Sequence, residues 1–202
     1  NSPRGDDQVI SGDDLITLEQ LIQISGLSRS RVERFVEPLN DTMKKYQINT
    51  KSRITNFISQ VLHESGSFQF FTELASGKAY EGRKDLGNTN PGDGVRYKGR
   101  GAIQITGRNN YSRVSKALGY DFVSDPKKLA ELPWAMLSAG WFWRFGSARG
   151  DLNKLADKED FEKITRGING GTNGIADRRK KLNVAKSVYK PVKPGDNNSL
   201  LA

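Results

Sequence analysis

The chain has no cysteine in 202 residues. Disulfide and thiolate chemistry are therefore excluded, and so is a disulfide-stapled secreted scaffold. It has a single histidine, His63, which rules out a multi-histidine metal site and weighs against a Ser-His-Asp triad. No run of about 18 apolar residues is present, so no membrane span is expected. The opening residues Asn1 to Asp7 are polar and acidic and read unlike a signal peptide. The expectation is a protein that folds in a reducing cytoplasm and meets any external target by another route.

What is present is charge. Thirty-two Lys and Arg against 23 Asp and Glu give a formal net charge of +9, which favours an anionic partner: nucleic acid, acidic lipid or an acidic wall polymer. The densest run is Arg178, Arg179, Lys180 and Lys181. The text lacks a helix-turn-helix, zinc or single-strand stacking motif, so a specific nucleic-acid partner is not expected.

Residues 1–12 (NSPRGDDQVISG) read as a flexible lead-in, 13–190 as one catalytic-sized domain, and 191–202 (PVKPGDNNSLLA) as a loose tail. Leu15, Leu18, Leu21 and Ile22 recur at helical spacing, with Asp13 or Asp14 placed to cap. Ser28 can cap a second helix, and Pro38 suits the first turn of a third. Ile54, Phe57, Ile58, Val61 and Leu62 form the i, i+3, i+4, i+7, i+8 stripe of a core-facing helix. From Gly66 to Gly101 the periodicity stops. A connection that long inside one domain is usually functional. Helical spacing returns at 109–118, 133–145, 160–168 and 175–189, with Trp141 and Trp143 read as core. The class is mainly α, with a short β-hairpin or glycine-rich loop region.

Glu64 ends the fourth helix and shares the apolar face of Val61 and Phe57. Desolvation by such neighbours penalises the charged form of a carboxylic acid, the condition a general acid near neutral pH requires. A helix-terminal Glu in a salt bridge fits the same position. His63 beside it reads as a hydrogen-bonding neighbour. Sugar hydrolysis needs a second carboxylate, ~6.5–9.5 Å away if a water is to fit between the two. Glu73, Glu81, Asp85 and Asp93 are candidates that spacing alone cannot separate. In RYKGRGAIQITGRNNY (96–111), Ile103 and Ile105 alternate with Gln104 and Thr106, as on a short extended strand with one polar side. Its GxG lacks the third glycine and the context of a dinucleotide fingerprint.

HESGSF, RYKGRGAIQITGRNNY, AGWFWRFG, and INGG followed by ADRR, in this order, resemble glycoside hydrolase family 19, from about Leu15 to Tyr189. The resemblance implies a lysozyme-like, two-lobed helical domain with a cleft beside the glycine-rich region. It also implies inverting hydrolysis of a β-1,4 bond next to an N-acetyl sugar, without metal or cofactor. By residue, it makes Glu64 the catalytic acid, Glu73 the second carboxylate of the compact endolysin branch, and Glu81 the rival base. Thr106 falls where the family holds the attacking water. Gln104, Asn110, Asn169 and Arg178 match polar residues of the cleft, and His63 and Tyr97 are taken as substrate-binding with them. The short Glu64-to-Gly101 connection and the lack of cysteine resemble the lysin branch. The expected substrate is therefore peptidoglycan, cut by a monomeric endolysin that a phage would release through a holin from the host cytoplasm to the periplasm and wall. A chitinase, or a non-catalytic wall-binding module, is the alternative.

Overall fold

The computed structural model describes residues 5–193 and Gly195. The expected tail and the start of the lead-in therefore lie largely outside the described residues. Nine α-helices are described: α1 Leu18–Ser25, α2 Arg29–Lys45, α3 Lys51–Glu64, α4 Asp93–Arg96, α5 Arg108–Leu118, α6 Trp134–Trp141, α7 Leu152–Asp157, α8 Phe161–Asn169 and α9 Ile175–Val188. The chain is mainly α, and the hairpin is reduced to isolated antiparallel bridges pairing Arg100 with Thr72 and with Ile105.

Two groups of elements follow from the packing. α3 lies against α9 and α7, with α1, α2 and α8 around them. The loops from 78 to 86 pack with α4 and α5, and α6 joins the groups by touching both α2 and α5. α3 forms where its apolar stripe requires it. Ile54, Phe57, Ile58, Val61 and Leu62 are all buried, and the Thr50 hydroxyl accepts the Arg53 N–H at its start. Phe57 meets Trp143 edge to face, and the Trp143 indole donates to Asn153 Oδ1 at 2.8 Å. Trp141 and Trp143 are thus core.

Three local expectations change. α1 is capped by Thr17 in a capping box with Gln20, and the Leu15 and Ile16 N–H groups are taken instead by Asn40 Oδ1. Pro38 starts no new helix, because α2 runs through it from Arg29 to Lys45. An interior proline costs ~3 kcal/mol, offset here by burial of Val32, Phe35, Val36, Leu39 and Met43 along the same face. Within the lead-in, Ile10 is anchored, its N–H donating to Asn49 O at 2.8 Å.

The long connection is held by charge. Asp93 is buried and takes two hydrogen bonds from Arg108, at 2.9 and 2.8 Å, plus the Asn90 N–H. The Arg108 guanidinium holds the Asp93 carboxyl below the usual carboxylate range. A depressed folded-state pKa adds stability that is full above the unfolded value and lost as pH falls through the depressed one. Asp93→Asn is expected to lower unfolding free energy by about 1.5–3 kcal/mol. In urea titrations the deficit should shrink as the solution is acidified below pH ~4, where the carboxyl of the unfolded chain takes up a proton while the folded one is still charged. A deficit independent of pH would mean that shape and not charge holds the loop.

Candidate active site

The C-terminus of α3 and the N-terminus of α9 meet at Arg178, whose guanidinium is 1 % exposed. Its three nitrogens are spent on three acceptors: Glu64 Oε1 at 2.5 Å, Gln60 Oε1 at 2.6 Å and Asn173 O at 3.0 Å. Gln60 in turn donates to the Thr165 hydroxyl of α8 at 3.1 Å. Glu64 keeps its side chain 19 % exposed, so one face is tied to the protein and another is open. Its setting is an ion pair at a helix end and not the apolar pocket that the α3 stripe suggested. The stripe buries Val61 and Leu62, while Glu64 turns toward Arg178.

His63 is fixed beside it. Its Nδ1 lies 2.6 Å from Asp177 Oδ2, and its ring lies against the backbone of Gly174, where a Cβ would stand 2.4 Å from Nε2. Gly174 also has φ +72°, so a side chain there is excluded twice. Lys181, and after it His63, holds the Asp177 carboxyl below its usual range.

Glu73 sits on the return segment. It pairs with Gly99 through both backbone and side chain: its N–H donates to Gly99 O at 2.9 Å, and Oε1 accepts the Gly99 N–H at 2.6 Å. Oε2 accepts the Tyr80 hydroxyl at 3.0 Å. Burial, and then Glu73 itself, raise the Tyr80 phenol above its ordinary value, so it stays a donor. Gln104 lies across Gly99, where a Cβ would stand 2.9 Å from its Oε1. Glu73, Tyr80 and Gln104 therefore gather about one glycine. Glu81 is placed differently. Its two oxygens accept the N–H groups of Gly92 and Gly94 at 3.0 and 3.4 Å, tying down the turn that opens α4. Asp85 pairs with Arg83 in the open.

Ile103 and Ile105 are buried while Gln104 and Thr106 are half-exposed, as the alternation implied, yet residues 101–104 form a turn and not a strand. The Thr106 carbonyl accepts from the Asn110 amide at 2.9 Å, and the Thr106 hydroxyl makes no hydrogen bond to another described residue. Asn169 is exposed at the end of α8 and accepts the Asn173 N–H. Tyr97 is the exception among the sequence candidates. It is buried, edge-on to Tyr111, and its hydroxyl donates to Val123 O at 2.8 Å, leaving no face for a ligand. The residues that the sequence did not single out are Gln60, Tyr80 and Asp177. Gln60 stood one helical turn before Glu64 and was legible by that spacing.

The basic run of 178–181 is also less free than its letters suggest. Arg178 is buried, Arg179 lies 4.5 Å over the Phe161 ring, and Lys181 pairs with Asp177. Only Lys180 has no partner among the described residues.

A helical domain that holds one half-open carboxylate by a buried arginine and a second on a glycine-pinned loop has the parts of a glycoside hydrolase. The model of class I chitinases matches residues 47–150. A glycosyl hydrolase family 19 domain-containing protein of Haemophilus influenzae is 30 % identical, over 74 % of this chain and 86 % of its own. The chain belongs to glycoside hydrolase family 19. An Arabidopsis thaliana endochitinase is 38 % identical over 60 % of this chain, which spans only 40 % of that protein's length. Chitinase C of Streptomyces griseus superposes with TM-score 0.70 at 18 % identity, covering 91 % of this chain and 81 % of its own, and so shares the fold.

Arg178→Met would strand Glu64 and Gln60 together. The expected loss is roughly 3–5 kcal/mol of unfolding free energy, read from urea or thermal melts. A variant as stable as wild type would show that the α3–α9 contact does not depend on the guanidinium.

Proposed function

We propose that the protein is a lysozyme-type endolysin that cleaves the β-1,4 glycosidic bonds of bacterial peptidoglycan with inversion. The observation that carries this reading is Glu64, half-open at the end of α3 and clamped by buried Arg178, in a chain of this family. Glu64 gives its proton to the glycosidic oxygen as the bond from the anomeric carbon breaks. Water attacks that carbon from the opposite face and yields its proton to Glu73, so that acid and base exchange protonation states in one displacement. Arg178 then pairs with the carboxylate left on Glu64. The Thr106 hydroxyl, without a hydrogen-bond partner among the described residues, holds the water, while His63, Gln104, Asn110 and Asn169 line the sugar path.

Peptidoglycan is favoured over chitin on charge. Chitin is neutral, whereas wall glycan carries carboxylates that a protein of charge +9 attracts. Such an enzyme works at the periplasmic face of the wall. Chitin is the second reading, supported by the names of the plant and Streptomyces relatives.

Glu64→Gln should abolish hydrolysis in a folded protein. Glu73→Gln should lose most of its turnover, and Glu81→Gln much less, because Glu81 serves the α4 turn. A reversed order would move the base to Glu81. Mass spectrometry of products from purified peptidoglycan and from chitin separates the two substrates. Muropeptides with a newly formed α-anomeric end support the wall reading, and chito-oligosaccharides alone would replace it.

A further inference from the structure

Beyond Glu64 the chain makes an unusual turn. Gly66, Ser67 and Phe68 all have positive φ, at 57°, 60° and 64°, a conformation costing of order 1–3 kcal/mol for each non-glycine residue. Backbone hydrogen bonds to the end of α3 hold it, among them Ser67 N–H to Leu62 O at 2.8 Å, and two side-chain contacts add to them. The Phe68 N–H donates to Ser65 Oγ at 2.9 Å, and the buried Phe68 ring stacks on Phe35 of α2 with centroids 4.6 Å apart. Between this turn and the first half of α2 lies a cavity of about 410 Å³. Phe35 and Phe68 line it, with Ser67 and Gln69 from the turn and Arg31 and Arg34 from the helix. No carboxylate lines it.

The two arginines have no ion-pair partner among the described residues. Arg31 and Arg34 are three apart and share a face, and the positions four residues on, Phe35 and Pro38, carry no acid. Glu37, three residues after Arg34, instead lines a separate cavity with Glu33, Asp41, Asp13 and Asp14. Arg34 is positioned without an acid, its guanidinium 4.7 Å over the Phe35 ring. Like-charged neighbours on one helix face cost a few tenths of a kcal/mol. Two guanidinium forks at an aromatic-floored cavity suit a carboxylate bearing a small apolar group.

We infer that the Arg31–Arg34 cavity binds a carboxylate of the wall polymer, and that it is what distinguishes peptidoglycan from chitin. This rests on the peptidoglycan reading above. The carboxylate has two sources there: the lactyl group of a muramic sugar that carries no peptide, and, where a peptide is amide-linked to that group, the free acids of the peptide. The turn that forms one wall begins directly after Glu64, so occupancy also bears on the segment that follows the acid.

The test has two arms. In the kinetic arm, Arg31→Gln/Arg34→Gln should raise KM for soluble peptidoglycan strands about tenfold, equivalent to ~1.4 kcal/mol, with kcat and the melting temperature little changed. Hydrolysis of chito-oligosaccharides should be unaffected, and Arg31→Lys/Arg34→Lys should recover part of the loss. An unchanged KM on peptidoglycan, or equal losses on both substrates, overturns the proposal. In the binding arm, wild-type protein is titrated with N-acetylmuramic acid, muramyl dipeptide and chitobiose while the Ser67 and Gln69 amides are followed by NMR. Shifts with N-acetylmuramic acid assign the lactyl carboxylate, and shifts with the dipeptide alone assign the peptide acid. No shift, or equal shifts with chitobiose, overturns the proposal. If wild type leaves peptidoglycan intact while the acidic probes still shift these amides, the peptidoglycan reading falls and the carboxylate cavity stands.

Discussion

The structure turns on one buried guanidinium. Arg178 is out of water and must be compensated, and the three acceptors that do so belong to two stretches of chain: Gln60 and Glu64 of α3, and the Asn173 carbonyl just before α9. Satisfying it fixes the rotation of α9 about its axis and the height of α9 against α3. Through Gln60 and Thr165 the constraint reaches α8. The packing of α3 on α9 and the orientation of the Glu64 carboxylate are therefore the same fact. A core of leucines alone would have bound the helices as tightly but left Glu64 free to choose among rotamers.

The second carboxylate is held by the opposite means. Among the described residues no cation is bonded to Glu73, and its place is set by pairing with Gly99 and by a phenol. One acid thus depends on a charge and the other on main-chain geometry. The first is secured by helices, the second by a loop whose own anchor is the buried Asp93–Arg108 pair. The two carboxylates then answer to different parts of the protein and can be tuned apart.

Much of this was readable from the letters. The α3 stripe is a period of 3.6 over a dozen residues, and a strong local pattern of that length survives folding, so Glu64 fell at the helix end as expected. The failures have a common cause in partners far along the chain. Tyr97 reads as substrate-binding within a block of glycines and arginines, yet Val123, 26 positions on, takes its hydroxyl. Pro38 reads as a helix start until the apolar face continuing to Met43 outweighs it. Glu73 and Glu81 cannot be ranked by spacing, because what separates them is which one closes a turn onto α4. α4 and α7, at four and six residues, are too short for any periodicity to register.

The sorting of charge along α2 has a consequence for how the molecule meets its target. Five carboxylates ring the cavity that Asp13, Asp14, Glu33, Glu37 and Asp41 line, on a protein whose surplus is otherwise positive. In the field of a long polyanion the net charge pulls the whole body inward, but this acidic spot, which only Lys44 offsets locally, is pushed away. The pair of forces is a torque. A protein drifting toward such a polymer is turned as it approaches, acidic side outward, before any contact is made, and the range over which the turning acts is the Debye length of the medium, ~8 Å in physiological salt. Orientation at encounter is thus written into the helix as a subtraction of charge from one place.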